Sequence, residues 1–337
     1  MKKMIVSVLI VSMVMILPLF AQGQGEVAYP ERDITTVVVW GAGGGTDVCN
    51  RVVMAEMSKE LGVNVNVVNK TGGVSGSIGM LDAFSKKADG YTLCGLSESN
   101  VTAGVMGGWE NRMDVWDIFI IGGSPDVISV TPDTPYQTIE DLVAAAKANP
   151  QSIKAAAGGA GSIHHLNLLA FEQGTEIEFN FIPYPGSAPS QNAAMTGEVD
   201  VVITSVAEQA QLIMAGKLRP LGVLVEDAFD LDGTTLVSTF DAFPALSNYL
   251  PLSQAIGFAV KAEAPQNVKD TLYAAFDKAM QSEAVKEFGK KNFYVLSGKR
   301  GPEANAIFKN LEAVFGYTLK DLGSATVDPE TLGIERP

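Results

Sequence analysis

The sequence has few of the residues that bind transition metals, with only two cysteines and two histidines in 337 residues. A zinc centre built from Cys and His takes four such ligands at close spacing, so the composition argues against one. Basic residues are also few, with 24 Lys and Arg against 38 Asp and Glu and a net charge of −14. Because an acidic surface repels phosphate backbones, we expect no binding to nucleic acid.

The chain also lacks the composition of a disordered protein. Hydrophobic residues make up 47% of it and charged residues only 18%, which supplies a sizeable core. Its length corresponds to about two domains.

The N-terminus has the three-part pattern of a secretory signal peptide, which we place at residues 1–25. Lys2 and Lys3 precede an apolar run, Ile5–Phe20, and small residues follow in Ala21–Gly25. The run of about 16 residues is short for a membrane span, although an uncleaved anchor stays an alternative. We therefore expect export through a cleavable signal peptide to the periplasm or another extracytoplasmic compartment.

An oxidising compartment would allow Cys49 and Cys94 to form a disulfide. Cys49 falls early in a predicted helix and Cys94 in a predicted strand. Pairing requires Cα atoms within about 7 Å of each other, which sequence does not reveal. We favour the interpretation that the two thiols are buried separately, and a disulfide between them is the alternative.

Strands and helices alternate along the chain, which predicts an α/β fold with parallel sheets and right-handed crossovers. The β-branched segment Ile34–Trp40 is a buried strand, and a helix over Asp47–Leu61 follows it. Thr138 and Asp141 form a capping pattern before another helix. Residues 226–253, rich in Asp and Pro, are expected to be an irregular surface connection.

The loop Gly41–Asp47 joins the first strand to the first helix. Glycines let backbone N–H groups approach a ligand, and a helix N-terminus favours negative charge, so the loop can hold an anion. It lacks the Gly-Lys-Ser/Thr of a nucleotide-binding Walker loop and the third glycine of a dinucleotide fingerprint. A carboxylate therefore suits it better than a nucleotide. The candidates here are Gly43, Gly44, Gly45, Thr46 and Asp47, with helix capping the favoured role for Asp47.

Three further segments follow strands in the same way: Ser97–Ser99, Gly158–His165 and Tyr184–Ser187. In open α/β sheets ligands bind beyond the carboxyl ends of the strands, so the four segments predict one shared site. His164 and His165 are adjacent and point about 100° apart on a helix, so they cannot both face one ligand. The candidate residues from these segments and from a later strand end are Glu98, Ser99, Gly161, Ser162, His165, Tyr184, Gly186, Ser187, Thr204 and Ser205.

A secreted serine hydrolase that uses Ser162 and His165 is an alternative from another functional class. The chain has no G-x-S-x-G motif, and a serine three residues from a histidine at a helix start does not make a triad. We expect no enzymatic activity, no metal and no cofactor.

An ordered series of motifs resembles the extracytoplasmic solute receptors of tripartite tricarboxylate transporters, the TctC or Bug family. The resemblance runs from about Tyr29 to Leu322. It is carried by Val37–Asp47 (VVVWGAGGGTD), Asp89–Leu93 (DGYTL), Gly161-Ser162 with His165-Leu166, Pro183–Pro189 (PYPGSAP) and Gly197–Asp200 (GEVD). The chain departs from the family at Pro185, where a lysine is usual.

The resemblance implies a two-lobed periplasmic binding protein of the type II arrangement, with a largely parallel sheet flanked by helices in each lobe. Lobe 1 would comprise residues 26–125 and 252–337, and lobe 2 residues 126–251. The family holds a carboxylate between the lobes, which places the first two loops on that group and leaves Glu98, Tyr184, Ser187, Thr204 and Ser205 for the rest of the solute. A monomer that delivers its ligand to a membrane permease is expected, with a ligand-sensing partner of a signalling receptor as a further alternative.

Overall fold

The computed structural model describes residues 29–248, 250 and 254–337. The predicted signal peptide lies outside the described residues. Across the part of the chain that is described, no helix has the length and hydrophobicity needed to cross a membrane.

The first part of the chain alternates strands and helices as predicted. Its elements are β1 (Ile34–Val38), α1 (Gly45–Leu61), β2 (Val65–Asn69), α2 (Ser77–Phe84), β3 (Thr92–Ser97) and β4 (Trp116–Gly123). A 3₁₀ turn over Glu98–Thr102 follows β3 directly. β4 was not predicted from the sequence. Seven of its eight residues are buried, so its apolar run lacks the alternation of a half-exposed strand.

The middle part contains β5 (Asp126–Val130), α3 (Ile139–Ala148), β6 (Lys154–Ala157), α4 (Ile163–Thr175), β7 (Asn180–Pro183), α5 (Ser187–Met195), β8 (Val201–Ser205), α6 (Val206–Met214), β9 (Arg219–Val223), β10 (Phe229–Leu231), β11 (Thr234–Leu236) and α7 (Thr239–Ala242). The prediction that residues 226–253 are irregular is wrong for β10, β11 and α7. Asp232 and Gly233 both have positive φ between β10 and β11, as in the hairpin turn that an Asp-Gly pair favours.

The last part contains β12 (Ile256–Lys261), α8 (Gln266–Gln281), α9 (Glu283–Lys291), β13 (Val295–Arg300) and α10 (Pro302–Asp321). Pro302 is the first residue of α10, a position that proline favours because its fixed φ suits a helix start. The sequence reading did not find α9 or β13.

The described residues form three sheets. The first has the order β13-β4-β12-β3-β1-β2 and the second the order β7-β6-β8-β5-β9, and β10 and β11 form a two-stranded sheet. Parallel pairs join β1 to β2 and β3, and β6 to β7 and β8, whereas β12, β13 and β5 pair antiparallel with their neighbours. The predicted two-lobed α/β fold is confirmed, and its sheets are mixed. β5 and β12, the first strands after the chain passes between the sheets, run against most strands of their sheets, and so does β13, which follows α9.

Alternating residues of the first sheet pack on its two opposite faces. Leu93 of β3 belongs to the apolar cluster formed with α1 and α8, and Cys94 to the cluster formed with α2 and α10. Cys49 of α1 lies in the former cluster, so the two cysteines are on opposite sides of the sheet. Both thiols are free and buried, as favoured from the sequence.

The buried thiols lead to a simple prediction. Burial raises the pKa of both Cys49 and Cys94, which keeps them as unreactive thiols. We expect the native protein to react with a thiol dye such as DTNB only at the rate of unfolding, and the denatured protein to release two equivalents. Immediate labelling of the native protein, or an intact mass two hydrogens lower, would contradict this arrangement.

Candidate functional site

The loop after β1 folds as a tight turn that places the N-terminus of α1 at the edge of the first sheet. Gly43 has a φ of +81°, which favours glycine, whereas Gly44 is the N-cap with a φ of −78°. The amides of this loop have acceptors within the protein. Gly43 donates to Asp47 Oδ2 at 2.9 Å, Gly44 to the Gly41 carbonyl at 3.2 Å, and Gly45 to Glu208 Oε1 at 2.6 Å.

Asp47 organises this loop from its own helix. Its buried carboxylate accepts hydrogen bonds from Gly43 N, from Arg51 and from Asn69 Nδ2. Burial alone would raise the pKa of Asp47, but the bonds from Arg51, Gly43 and Asn69 together lower it. Asp47 therefore holds the loop before the N-cap Gly44, and the N-cap itself has no side-chain capping bond.

The second loop brings the start of α4 to the same edge. Ser162 is the N-cap, and its Oγ accepts from His165 N at 3.3 Å. The His165 ring turns away, because Nδ1 accepts from Gly161 N at 3.0 Å and the ring stacks on Phe181 with centroids 4.2 Å apart. Burial lowers the pKa of His165 to about 4, so the ring is neutral at neutral pH.

His164 takes the position between the two sheets instead. Its Nδ1 lies 2.8 Å from Asp126 Oδ2, and its Nε2 lies 3.2 Å from Ser187 Oγ and 3.4 Å from Glu208 Oε2. Burial by itself would lower the pKa of His164, but Asp126 and Glu208 outweigh it and raise the pKa to about 9. His164 is therefore a buried imidazolium at neutral pH, shared by two carboxylates.

Glu98 is fully buried in the turn after β3. Its carboxylate accepts from Ala255 N, just before β12, and from Ser99 Oγ at 2.8 Å. Ser99 Oγ in turn accepts from Ile163 N of α4 at 2.8 Å. Burial raises the pKa of Glu98, while the bonds from Ala255 and Ser99 oppose that shift. The Glu98–Ser99 pair therefore connects the first sheet to the second.

These groups surround a cavity of about 20 Å³ between the sheets, which is room for about one water molecule. Eight of the predicted site residues line it. They are Gly44, Gly45, Thr46, Glu98, Ser99, Ser162, Gly186 and Ser187. Within the described ranges, no group of three or more His, Cys, Asp and Glu side chains could hold a metal ion.

Seven of the predicted residues lie outside the lining: Gly43, Asp47, Gly161, His165, Tyr184, Thr204 and Ser205. Gly43, Asp47, Gly161 and Ser205 shape the loops behind it. Thr204 accepts from Gln191 Nε2 at 2.9 Å, and Tyr184 packs against an apolar cluster of the second sheet. His165 does not line the cavity, because Gly161 and Phe181 hold its ring away from it.

Six lining residues were not among the predicted site residues, namely Trp40, Ser97, Gly158, His164, Glu208 and Gln254. Three of them, Ser97, Gly158 and His164, lie within the predicted loops. A signal for Glu208 was present, because Ser205 and Glu208 form a capping box at the start of α6. That pattern locates a helix start, but nothing in it indicates that Glu208 reaches the other sheet.

A sequence model of the family described as "Tripartite tricarboxylate transporter family receptor" matches residues 49–299. The chain belongs to this family. It is also 30% identical over 269 residues to the protein BugT of Bordetella pertussis, covering 77% of this chain and 79% of BugT.

Solved structures agree with the fold of this receptor. A TctC solute binding protein from Polaromonas is 29% identical with a TM-score of 0.61, covering 87% of this chain and 100% of that one. MatC from Rhodopseudomonas palustris, solved with bound malate, has a TM-score of 0.78 at 18% identity and covers 87% of this chain and 100% of its own.

Membership in the family makes the chain a solute-binding receptor and not an enzyme. The geometry agrees, because Ser162 Oγ caps a helix and the neighbouring His165 uses its Nδ1 as an acceptor for Gly161. The hydrolase alternative would use a ring nitrogen of His165 as the base for Ser162, and Nδ1 of that ring is already the acceptor for Gly161 N.

Proposed function

We propose that this receptor binds a small carboxylate-bearing solute in the cleft between the two sheets. The observation that carries the proposal is the convergence of three helix N-termini, those of α1, α4 and α5, on one cavity. Helix N-termini direct N–H groups and a partial positive charge towards the cavity, which favours an anion. The Gly45 N–H among them donates to a side chain of the other sheet's unit, Glu208. The malate bound to MatC supports the same class of ligand.

We further propose the predicted boundaries as those of the lobes, with residues 26–125 and 252–337 in one and residues 126–251 in the other. Hydrogen bonds join them across the cleft, including Gly41 N to Pro185 O at 3.1 Å and Ser75 N to Ala160 O at 3.1 Å. A cavity of about 20 Å³ is too small for a carboxylic acid, so entry requires the lobes to separate.

A larger opening of about 700 Å³ lies beside the segment that joins β4 to β5. It is lined mostly by apolar residues of β4, β13 and α10. No helix N-terminus contributes to its described lining, and Asp126 at its edge is already paired with His164. The one lysine of its described lining, Lys299, already pairs with Glu303 at 2.9 Å. The polar cleft is therefore the better candidate.

We also propose that the receptor is exported, acts as a monomer in the periplasm and delivers its solute to a membrane permease. The family description supports delivery to a transporter, since it names a receptor of one. The signal-peptide pattern in residues 1–25 supports export.

A thermal-shift screen tests carboxylate binding. The panel comprises di- and tricarboxylates, amino-acid dicarboxylates and aromatic acids. At 100 times Kd a ligand adds about 2.7 kcal/mol, so we expect at least one acid to raise Tm by roughly 5 °C or more. The diamide of the same acid, which has no negative charge, is the matched control. The proposal fails if no acid stabilises the protein, or if acid and amide do so equally.

A further inference from the structure

A hydrogen bond between the two lobes occupies the centre of the proposed site. The Gly45 amide at the start of α1 donates to Glu208 Oε1 of α6 at 2.6 Å. The other oxygen of Glu208 is held within the second lobe, by Ser205 N at 3.0 Å and Ser205 Oγ at 2.8 Å. Glu208 therefore stays anchored to its own lobe by Oε2 and directs Oε1 across the cleft.

Separation of the lobes breaks this bond and leaves both groups without a partner. A solute that enters between them must offer an acceptor to the Gly45 N–H and a donor to Glu208 Oε1. Leaving either group buried and unpaired costs more than the bond itself contributes. A carboxylate alone satisfies Gly45 but places a second negative charge against Glu208.

The charges around the cavity favour a donor that is positive. Its described lining contains two carboxylates, Glu98 and Glu208, and no lysine or arginine. The imidazolium of His164 is the one positive side chain of that described lining, and it is shared by Asp126 and by Glu208 Oε2, which leaves Glu208 Oε1 without a positive partner. A solute that carries only negative charge therefore enters surroundings that are already acidic.

We propose that the solute is an amino acid, with its carboxylate on the Gly45 amide and its ammonium group on Glu208 Oε1. This inference rests on the proposed function and narrows the class of carboxylate. Glu208 is then the residue that selects for the ammonium group. A 2-hydroxy acid satisfies the same geometry with a neutral donor and ranks below the amino acid.

Calorimetry with matched acids tests the inference on the full receptor. Each series keeps the carbon chain and changes only the 2-substituent: aspartate, malate and succinate; glutamate, 2-hydroxyglutarate and glutarate; alanine, lactate and propionate. In the series that fits the cleft, we expect the amino acid to bind about 10- to 100-fold more tightly than the unsubstituted acid. The hydroxy acid should lie between the two.

Glu208→Gln removes the charge that makes this choice. In the variant we expect the preference to fall to about threefold or less, because a neutral amide distinguishes ammonium from hydrogen weakly. Glu226→Gln, at an exposed carboxylate of the same lobe, is the matched control and should keep the full preference.

The outcomes are distinct. Succinate or another unsubstituted acid that binds as tightly as its amino acid would overturn the inference while the carboxylate proposal stands. Binding by none of the nine acids would count against the carboxylate proposal, and the inference would fall with it. An unchanged preference in Glu208→Gln would exclude Glu208 as the selecting residue. If that variant does not fold, the comparison in the wild type decides.

Discussion

Asp126→Asn is expected to lower the free energy of unfolding by about 3–5 kcal/mol, because it leaves a buried imidazolium without its main counter-charge. Asp126 and His164 are both buried, and their side chains are 2% and 6% exposed. Asp126 Oδ2 also accepts from Asn167 Nδ2 at 2.7 Å. In the Asp126→Asn variant, a side-chain nitrogen in place of Oδ2 would be a donor facing the Asn167 Nδ2 donor.

Urea unfolding at pH 7 measures this loss. Asp321→Asn is the control, because the pair that Asp321 forms with Arg336 is 55% and 59% exposed. Exposed pairs contribute less than about 1 kcal/mol, so the control should unfold near the wild-type midpoint. Equal small losses in both variants would show that His164 does not depend on Asp126.

The pH dependence gives a second readout of the same pair. Because the pKa of His164 is raised to about 9, its contribution to stability is complete below about pH 6.5 and is lost as the pH rises towards 9. Between pH 7 and 9 the stability difference between wild type and Asp126→Asn should shrink by about 2 kcal/mol. Other groups, including the two thiols, cancel in that difference. A constant difference would contradict a protonated His164.

The fold was predictable where local patterns carry the signal. The β-branched run of β1 and the capping box at Thr138 and Asp141 indicate their elements directly. The antiparallel orientation of β5 and β12 could not be predicted from the sequence, because the direction of these strands depends on where the chain crosses between the lobes. That crossing is a property of the whole topology and leaves no local pattern.

The loops of the site were predictable, but the side chains that meet in it were only partly so. Glycines and helix starts indicate where backbone donors converge. Which of His164 and His165 faces the cleft depends on ring packing against Phe181 and Asp126, which are distant in sequence. Glu208 meets Gly45 across 163 residues, so its place at the centre required the three-dimensional structure.

Gly44→Val is expected to weaken binding of the preferred acid by about 100-fold or more, which corresponds to about 2.7 kcal/mol. Gly44 lines the cleft, and a Cβ built there lies 3.9 Å from both Glu208 Oε1 and Ser187 Cβ of the other lobe. The two further methyl groups of valine would occupy the space in which the lobes close on the solute. Calorimetry with the acid that stabilises the wild type most would measure the loss.

The backbone dihedrals at Gly44, a φ of −78° and a ψ of 168°, suit any residue, and the tight contact of 3.3 Å between a new Cβ and the Gly41 carbonyl is the same in the valine and alanine variants. We therefore expect the free energy of unfolding to change by less than about 1 kcal/mol, which separates lost binding from lost folding. Gly44→Ala is the matched control. Its single methyl group is 3.3 Å from the Gly41 carbonyl and adds nothing beyond Cβ, so it should cost less than about 10-fold. Full affinity in the valine variant would exclude the first loop from the site. A solute bound to the Gly45 amide would clash with the valine side chain at position 44, so unchanged binding would mean that the solute lies elsewhere.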